Sequence, residues 1–381
     1  MGTKKMSVGQ VILLSGALLA YLVGSGWASG QETVQYFTSS GMWCFVPGIL
    51  NIIMLYFGYV AYGYAGRTRG IDSLAGVFEF YVGKYIGKLF VLFAWLFTFC
   101  AYVFMIAGFG ATLEQQVGIP TAVGSALGSV LAIVTALFGL NGIVNVIGKI
   151  GPFIVAIITF IGVVSIFMFA PYITQGAALL ASGEITVPVA GGGHPLTAGL
   201  SFGGCSLLLC SAYVARQAHD LREYKWSNFK LIVLIGAVVD SVVPIMIGYA
   251  HLGNIQNSAN AEIPNLILAN HIFPGLGIIL SIVILLAIYS TICPLMWSTI
   301  STFFKDEKSA KYKIACCVFA VAVYIVTLFV PYSTLLNYIM TYCGYSGAIV
   351  FAACVIRYFM IRSADKKSGK VTEAVVAIEE S

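Results

Sequence analysis

Uninterrupted apolar runs of about 20 residues recur along almost the whole chain, and each is long enough to carry a helix across a hydrocarbon core of roughly 30 Å. With 59% hydrophobic and only 9% charged residues in 381, too few polar side chains exist to coat a water-soluble globule. The chain therefore reads as an integral membrane protein. Ten-residue alternating strands are absent, so the spans are helical. Ten are expected, at about 9–37, 42–65, 88–115, 121–140, 143–171, 195–217, 228–253, 274–302, 312–330 and 333–360. The longest loops, 66–87, 172–194 and 254–273, are too short for a further domain, and 361–381 reads as a polar tail.

The 20 Lys and Arg residues fix an orientation. With the amino terminus inside, all of them, from Lys4 and Lys5 through Arg67, Arg216 and Lys305 to Lys370, fall at cytoplasmic positions. That is the asymmetry of a multi-pass protein of the cell (plasma or inner) membrane with both termini cytoplasmic. A net charge of +5 suits contact with anionic lipid; without a basic face interleaved with aromatics it gives no sign of nucleic acid. The nine cysteines lie almost wholly inside spans, as small buried hydrophobes, and neither a disulfide nor a metal site is expected.

Spans one to five occupy about 9–171 and spans six to ten about 195–360, so the second set of five enters from the opposite side. Inverted repeats of this kind, each led by a discontinuous helix, are a pattern of secondary transporters with the ligand site at the breaks. The first span carries GSGWASG at 24–30, followed by Gln31 and Glu32. Glycines make unwinding cheap, and the freed amides and carbonyls are tolerable in a membrane only against protein, a cavity, a ligand or an ion. Gly199, Gly203 and Gly204 mark the matching place in span six, so both helices are expected to be broken. Two plainer readings compete. Gly26 and Gly30 form a GxxxG helix-packing motif, and the first span could be a signal peptide cut near Ala28.

GSGW at 24–27 resembles the first-helix break of the amino acid–polyamine–organocation superfamily, which has the leucine-transporter fold. The longer GSGWASGQETVQYF and the segment IGKIGPFIV at 147–155 resemble the YkvI-like amino-acid permeases. The resemblance spans nearly all ten helices and implies transport of an amino acid. In sodium-coupled relatives a polar residue of span seven helps to hold one Na⁺, which makes Asp240 the matching candidate, for Na⁺ or for a proton. Pro244 would free the Asp240 carbonyl as a further ligand. Ser290 and Thr291 resemble the second sodium site, where they would join carbonyls of Val23, Gly24 or Gly26. Lys149 matches a span-five lysine that replaces the ion in proton-coupled relatives, although its place near a span end suits simple snorkelling.

For the substrate, positive ends of the half-helices would meet a carboxylate through Ser25, Gly26, Gly203 and Gly204, with Gly30 shaping the break. Side-chain selectivity would fall to Trp27, Tyr102, Met105, Phe202 and Ser206. Glu32 is either a partner for a substrate ammonium, a proton carrier, or a brace for the unwound amides, since a charge at this depth costs at least about 2.5–3.5 kcal/mol. GLSFG at 199–203 also fits the serine-nucleophile pattern GxSxG, with Ser201, His194 or His251, and Asp240 as a triad. That motif needs a strand-to-helix turn which this span lacks.

The resulting expectation is a secondary transporter, not an enzyme. It would move an amino acid, or a related small zwitterion or amine, by alternating access coupled to Na⁺ or H⁺. No organic cofactor and no obligate protein partner are implied. The alternative is a transporter-fold receptor that binds a small amine without net transport.

Overall fold

The computed structural model describes residues 4–22, 24–138, 144–301, 304, 306 and 309–367. Among the described residues every regular element is helical, apart from one isolated bridge between Lys4 and Tyr224. Eight helices there are long and apolar enough to cross a membrane, beside two shorter apolar helices, Val8–Leu22 and Thr121–Thr135.

The first expected span is three helices, α1 (Val8–Leu22), α2 (Ser25–Ser29) and α3 (Gln31–Tyr36). α4 (Phe45–Arg69) follows and stops at Gly70, whose φ of 67° is the left-handed conformation that ends helices. α5 (Leu74–Val117) starts on Ser73, whose side chain accepts from Gly76 N. α6 (Thr121–Phe138) and α7 (Val144–Phe169) close the first half, and α8 (Ile173–Ala181) is a short loop helix. α9 (Pro195–Asp220) has Pro195 in its first turn, where the missing N–H costs nothing. α10 (Trp226–Gly253) leads to the loop helices α11 (Ile255–Ser258) and α12 (Pro264–Ile272). α13 (Pro274–Ser301), α14 (Ala310–Thr327) and α15 (Tyr332–Lys367) complete the chain.

Three sequence expectations are corrected. α9 is helical throughout from Pro195 to Asp220, so the break expected at Gly199, Gly203 and Gly204 is not there. These glycines instead let other backbones approach. A Cβ on Gly204 would lie 1.9 Å from Gly344 O of α15, and one on Gly199 would lie 2.9 Å from Pro47 Cα of α4. The third span is preceded in the same element by residues 74–82, set off by Gly83 at φ 79°. The tail expected from residue 361 is helical as far as Lys367, because Arg69 pairs with Asp365 at 2.7 Å and Tyr64 donates to the same carboxylate.

α4, α9 and α15 form the most tightly packed part of the bundle. Gly66 of α4 leaves only 2.0 Å between an imagined Cβ and Ala215 O of α9. Lipid-suited faces lie elsewhere, with Phe160 of α7 and Val318 and Val321 of α14 exposed. At one end of the bundle several basic loops meet. Lys4 pairs with Glu223 at 2.7 Å, Arg67 donates to Tyr224 O at 2.8 Å, and Arg69 holds the end of α15.

Candidate binding site

The interruption of the first span is built by two glycines. Gly24 is extended (φ −102°, ψ −171°) between α1 and α2, and Gly30 is left-handed (φ 88°) between α2 and α3. The carbonyls this frees find side-chain donors. Ser29 Oγ donates to Gly26 O at 3.1 Å, and Asn265 Nδ2 of α12 donates to Ala28 O at 3.0 Å and reaches Trp27 O at 3.5 Å. His251 of α10 contacts Asn265 Oδ1 through Nε2 at 3.1 Å and Ser258 Oγ through Nδ1 at 3.0 Å. A Cβ on Gly30 would come within 2.5 Å of Asn265 Oδ1. Glycine is therefore required there for both φ and space.

Glu32 folds back over the same stretch. A Cβ on Gly26 would stand 2.0 Å from Glu32 Oε1, so Gly26 makes the room that the carboxylate occupies. Glu32 is 9% exposed, and among the described residues no donor hydrogen-bonds to its carboxylate. The hydrogen-bonded brace is thus not formed, and the acid is left to whatever enters beside it.

What lies beside it is a cavity of about 50 Å³. Its wall brings together Gly24 and Glu32 from the first span, Met105 of α5, Phe202 and Ser206 of α9, and Thr291 of α13. All six are residues singled out from sequence. Tyr21, Phe97, Phe104, Cys205 and Met340 also line it and were missed. On α5 the spacing Phe97, Ala101, Phe104, Met105 is one helical face, so extending the stripe from Met105 would have found them.

The other expected residues fall elsewhere. Tyr102 turns to α14, its ring 4.8 Å from that of Phe319, and Trp27 is buried outside the cavity wall. Gly203 faces Asn51 and Met54 of α4, and Gly204 serves α15. Val23 and the side chains of Ser25 and Lys149 lie outside the described residues.

Asp240, 2% exposed, accepts from Asn51 Nδ2 of α4 at 3.0 Å, and the same nitrogen donates to Ser241 Oγ at 3.0 Å. Asn51 was not anticipated, and its Oδ1 is buried without a hydrogen-bond partner. Ser290 and Thr291 both donate to Ala287 O, at 2.7 and 2.9 Å. That is the back-bonding common to hydroxyls in membrane helices, and it leaves their lone pairs free to accept. Ser201 belongs to no triad. Its hydroxyl contacts Tyr36 Oη at 3.0 Å and donates to Met340 O at 3.1 Å within an unbroken helix, while His194 caps α9 through Leu196 N.

Beyond the break, side-chain amides tie α3 to its neighbours. Gln31 Nε2 donates to Ala261 O at 2.7 Å, Gln35 Nε2 to Ser333 O at 2.9 Å, and Asn337 Nδ2 to Gln35 Oε1 at 2.8 Å. Glu262 accepts from both Ser333 N and Ser333 Oγ, at 2.9 and 2.8 Å. On the α1 side Tyr21 is 48% exposed.

No protein-family model matches the chain. A segment of 139 residues is 27% identical to the uncharacterized protein YyaD of Bacillus subtilis (strain 168); it covers 36% of this chain and 40% of that protein, so the match spans well under half of either. Among solved structures, MhsT in complex with L-phenylalanine is similar over 99% of this chain and 98% of its own, with a TM-score of 0.57 and 13% identity. A mutant of the Eremococcus coleocola manganese transporter is similar over 99% and 87%, with a TM-score of 0.53 and 16% identity. Likeness over nearly the whole chain establishes the leucine-transporter fold expected from the residues of the first span.

Proposed function

We propose that this chain is a secondary transporter that carries a small amine or amino acid across the membrane by alternating access, coupled to Na⁺ or H⁺. The observation that carries the reading is the cavity at the interrupted first helix, where Gly24, Glu32, Met105, Phe202, Ser206 and Thr291 converge from four separate spans. A site assembled from several helices changes shape when they move relative to one another, which is what alternating access requires. With the basic loops placed inside, the amide ties of Gln31, Gln35 and Asn337 lie on the outward side of the break. Residues of the YkvI-like permease type in the first span support the amino-acid or amine class.

The coupling ion would use oxygens already near the break. Thr291 and Gly24 share the cavity wall, and Asp240 offers a second, buried carboxylate held by Asn51. For Na⁺ these are hard oxygen donors; for H⁺ the carboxylates themselves are the carriers. Carriage of manganese, as in one structural neighbour, does not follow from the side chains: among the described residues no three His, Cys, Asp or Glu groups converge.

Counterflow in proteoliposomes tests the reading. Vesicles preloaded with a mixture of amino acids and amines should accumulate external labelled compound transiently, with and without Na⁺ at fixed pH. A receptor that retains the fold without transport would bind saturably and show no such exchange.

A further inference from the structure

We infer that the cargo is an organic monocation, an amine with an apolar or aromatic body and no carboxylate, rather than a zwitterionic amino acid. This rests on the transport site described above, widened from its present volume of about 50 Å³ to admit the cargo, and specifies its substrate class.

The charged and aromatic side chains of the cavity wall attract positive charge. Among the described residues Glu32 is the one charged side chain lining it, is nine-tenths buried, and receives no hydrogen bond. A carboxylate in that setting stays ionised only beside a cation. α1 ends at Leu22, and Tyr21 and Leu22 are on the wall, so the carboxy-terminal, negative end of a helix lies there as well. Around them stand the rings of Phe97, Phe104 and Phe202 with the thioethers of Met105 and Met340. Aromatic faces attract an ammonium held within about 6 Å of the ring.

Among the described residues no Lys, Arg or His lines the cavity, so no cationic side chain meets a carboxylate there. In the half-helix scheme the anion is met by positive helix ends, but α9 runs unbroken past Phe202 and Ser206 and presents no such end. α2, with five residues, is too short to build a sizeable dipole. An amino acid entering here would bury its carboxylate beside Glu32 with neutral hydroxyls, such as that of Ser206, to meet it and no cation among the described residues. An amine would not, and the Thr291 hydroxyl, which donates to Ala287 O, keeps a lone pair for a second ammonium hydrogen.

A matched ligand series decides it. Binding of phenylethylamine, L-phenylalanine and 3-phenylpropionate, with isobutylamine and L-valine as a smaller pair, is measured by calorimetry on the full-length protein in nanodiscs at pH 7. Each amine is expected to bind at least about tenfold more tightly than its amino acid, and the propionate not at all. Glu32→Gln should cut amine affinity by about thirtyfold or more, and Glu32→Asp by less. Phe104→Leu, which keeps the carboxylate and a well-filled wall, should cost about three- to tenfold and guards against a misfolded Glu32 variant. Amino acids binding as tightly as the amines, no binding by any amine, or Glu32→Gln and Phe104→Leu both within twofold of the parent would each overturn the assignment. Counterflow separates the two levels. Exchange of L-phenylalanine without exchange of the amine sinks the substrate class and leaves transport standing, whereas tight amine binding without any exchange does the reverse.

Discussion

The first span and α9 are both rich in glycine near their middles, yet one is cut in two places and the other is straight. Gly24 and Gly30 take conformations outside the helix, whereas Gly199, Gly203 and Gly204 stay within it. The difference lies in what packs against each. Around the first span, side chains approach: Asn265 reaches Gly30 and Glu32 lies on Gly26. Around α9, Gly199 and Gly204 meet other backbones, those of Pro47 and Gly344, while Gly203 meets the Asn51 and Met54 side chains. A missing Cβ can be used to unwind a helix or to bring two helices together. Which use prevails depends on whether a polar partner is present to satisfy the exposed backbone groups.

The largest expected effect is at the straight helix. Gly204→Ala places a methyl 1.9 Å from Gly344 O, a backbone atom that cannot turn aside. A loss of about 3 kcal/mol or more in stability is expected, measured by thermal unfolding in detergent. If α9 could unwind at little cost, the same variant would be nearly silent.

Next come Gly30 and its partner. Gly30→Ala forces a Cβ into a left-handed residue, about 1–2 kcal/mol, and also displaces Asn265. Asn265→Ala leaves Ala28 O without its donor, about 1–3 kcal/mol. Because Asn265→Ala removes the very atoms that Gly30→Ala would strike, the double variant should be less destabilised than the sum, by about 1 kcal/mol in a double-mutant cycle. Strict additivity would show that α12 does not dock on the break.

Gly24→Ala should separate stability from binding. The backbone at Gly24 is extended and open to any residue, and its nearest obstacle is the movable Met105 Cε at 3.0 Å. Stability should change by less than about 1 kcal/mol, while amine affinity, read by titration, falls because the methyl enters the cavity wall.

The smallest effect is at the exposed pair that ties the amino terminus to the loop before α10. Glu223 hydrogen-bonds and pairs with Lys4, which holds its carboxyl below the ordinary value and raises the Lys4 ammonium. For the depressed acid the contribution is present above its unfolded pKa and lost as pH falls through the folded one; for the raised base it is lost as pH climbs through the folded one. Lys4→Met should therefore lower the melting temperature slightly and equally from pH 6 to 9, with the difference vanishing in strong acid or high salt.

Much of this was legible in the residues. Apolar runs placed the spans because their length is set by the membrane, and GSGW with Glu32 located the break and its acid. Of the six wall residues, Met105, Phe202 and Ser206 followed from depth along each helix, Gly24 and Glu32 from the glycine-rich break, and Thr291 from the family resemblance. The straightness of α9 did not, since GxSxGG looks the same whether the glycines free the chain or crowd it. Nor did Asn51 and Asn265, which lie far along the chain from the Asp240 side chain and the Ala28 carbonyl they serve. No local pattern links a loop-helix asparagine to a carbonyl in the first span; only the folded bundle does.

Amide hydrogen exchange on the ligand-free protein tests the contrast itself. The amides of residues 23–31 should exchange orders of magnitude faster than those of 199–207 in the same sample. Equal and strong protection of both segments would mean that the first helix is whole, and the binding site built on its interruption would be lost.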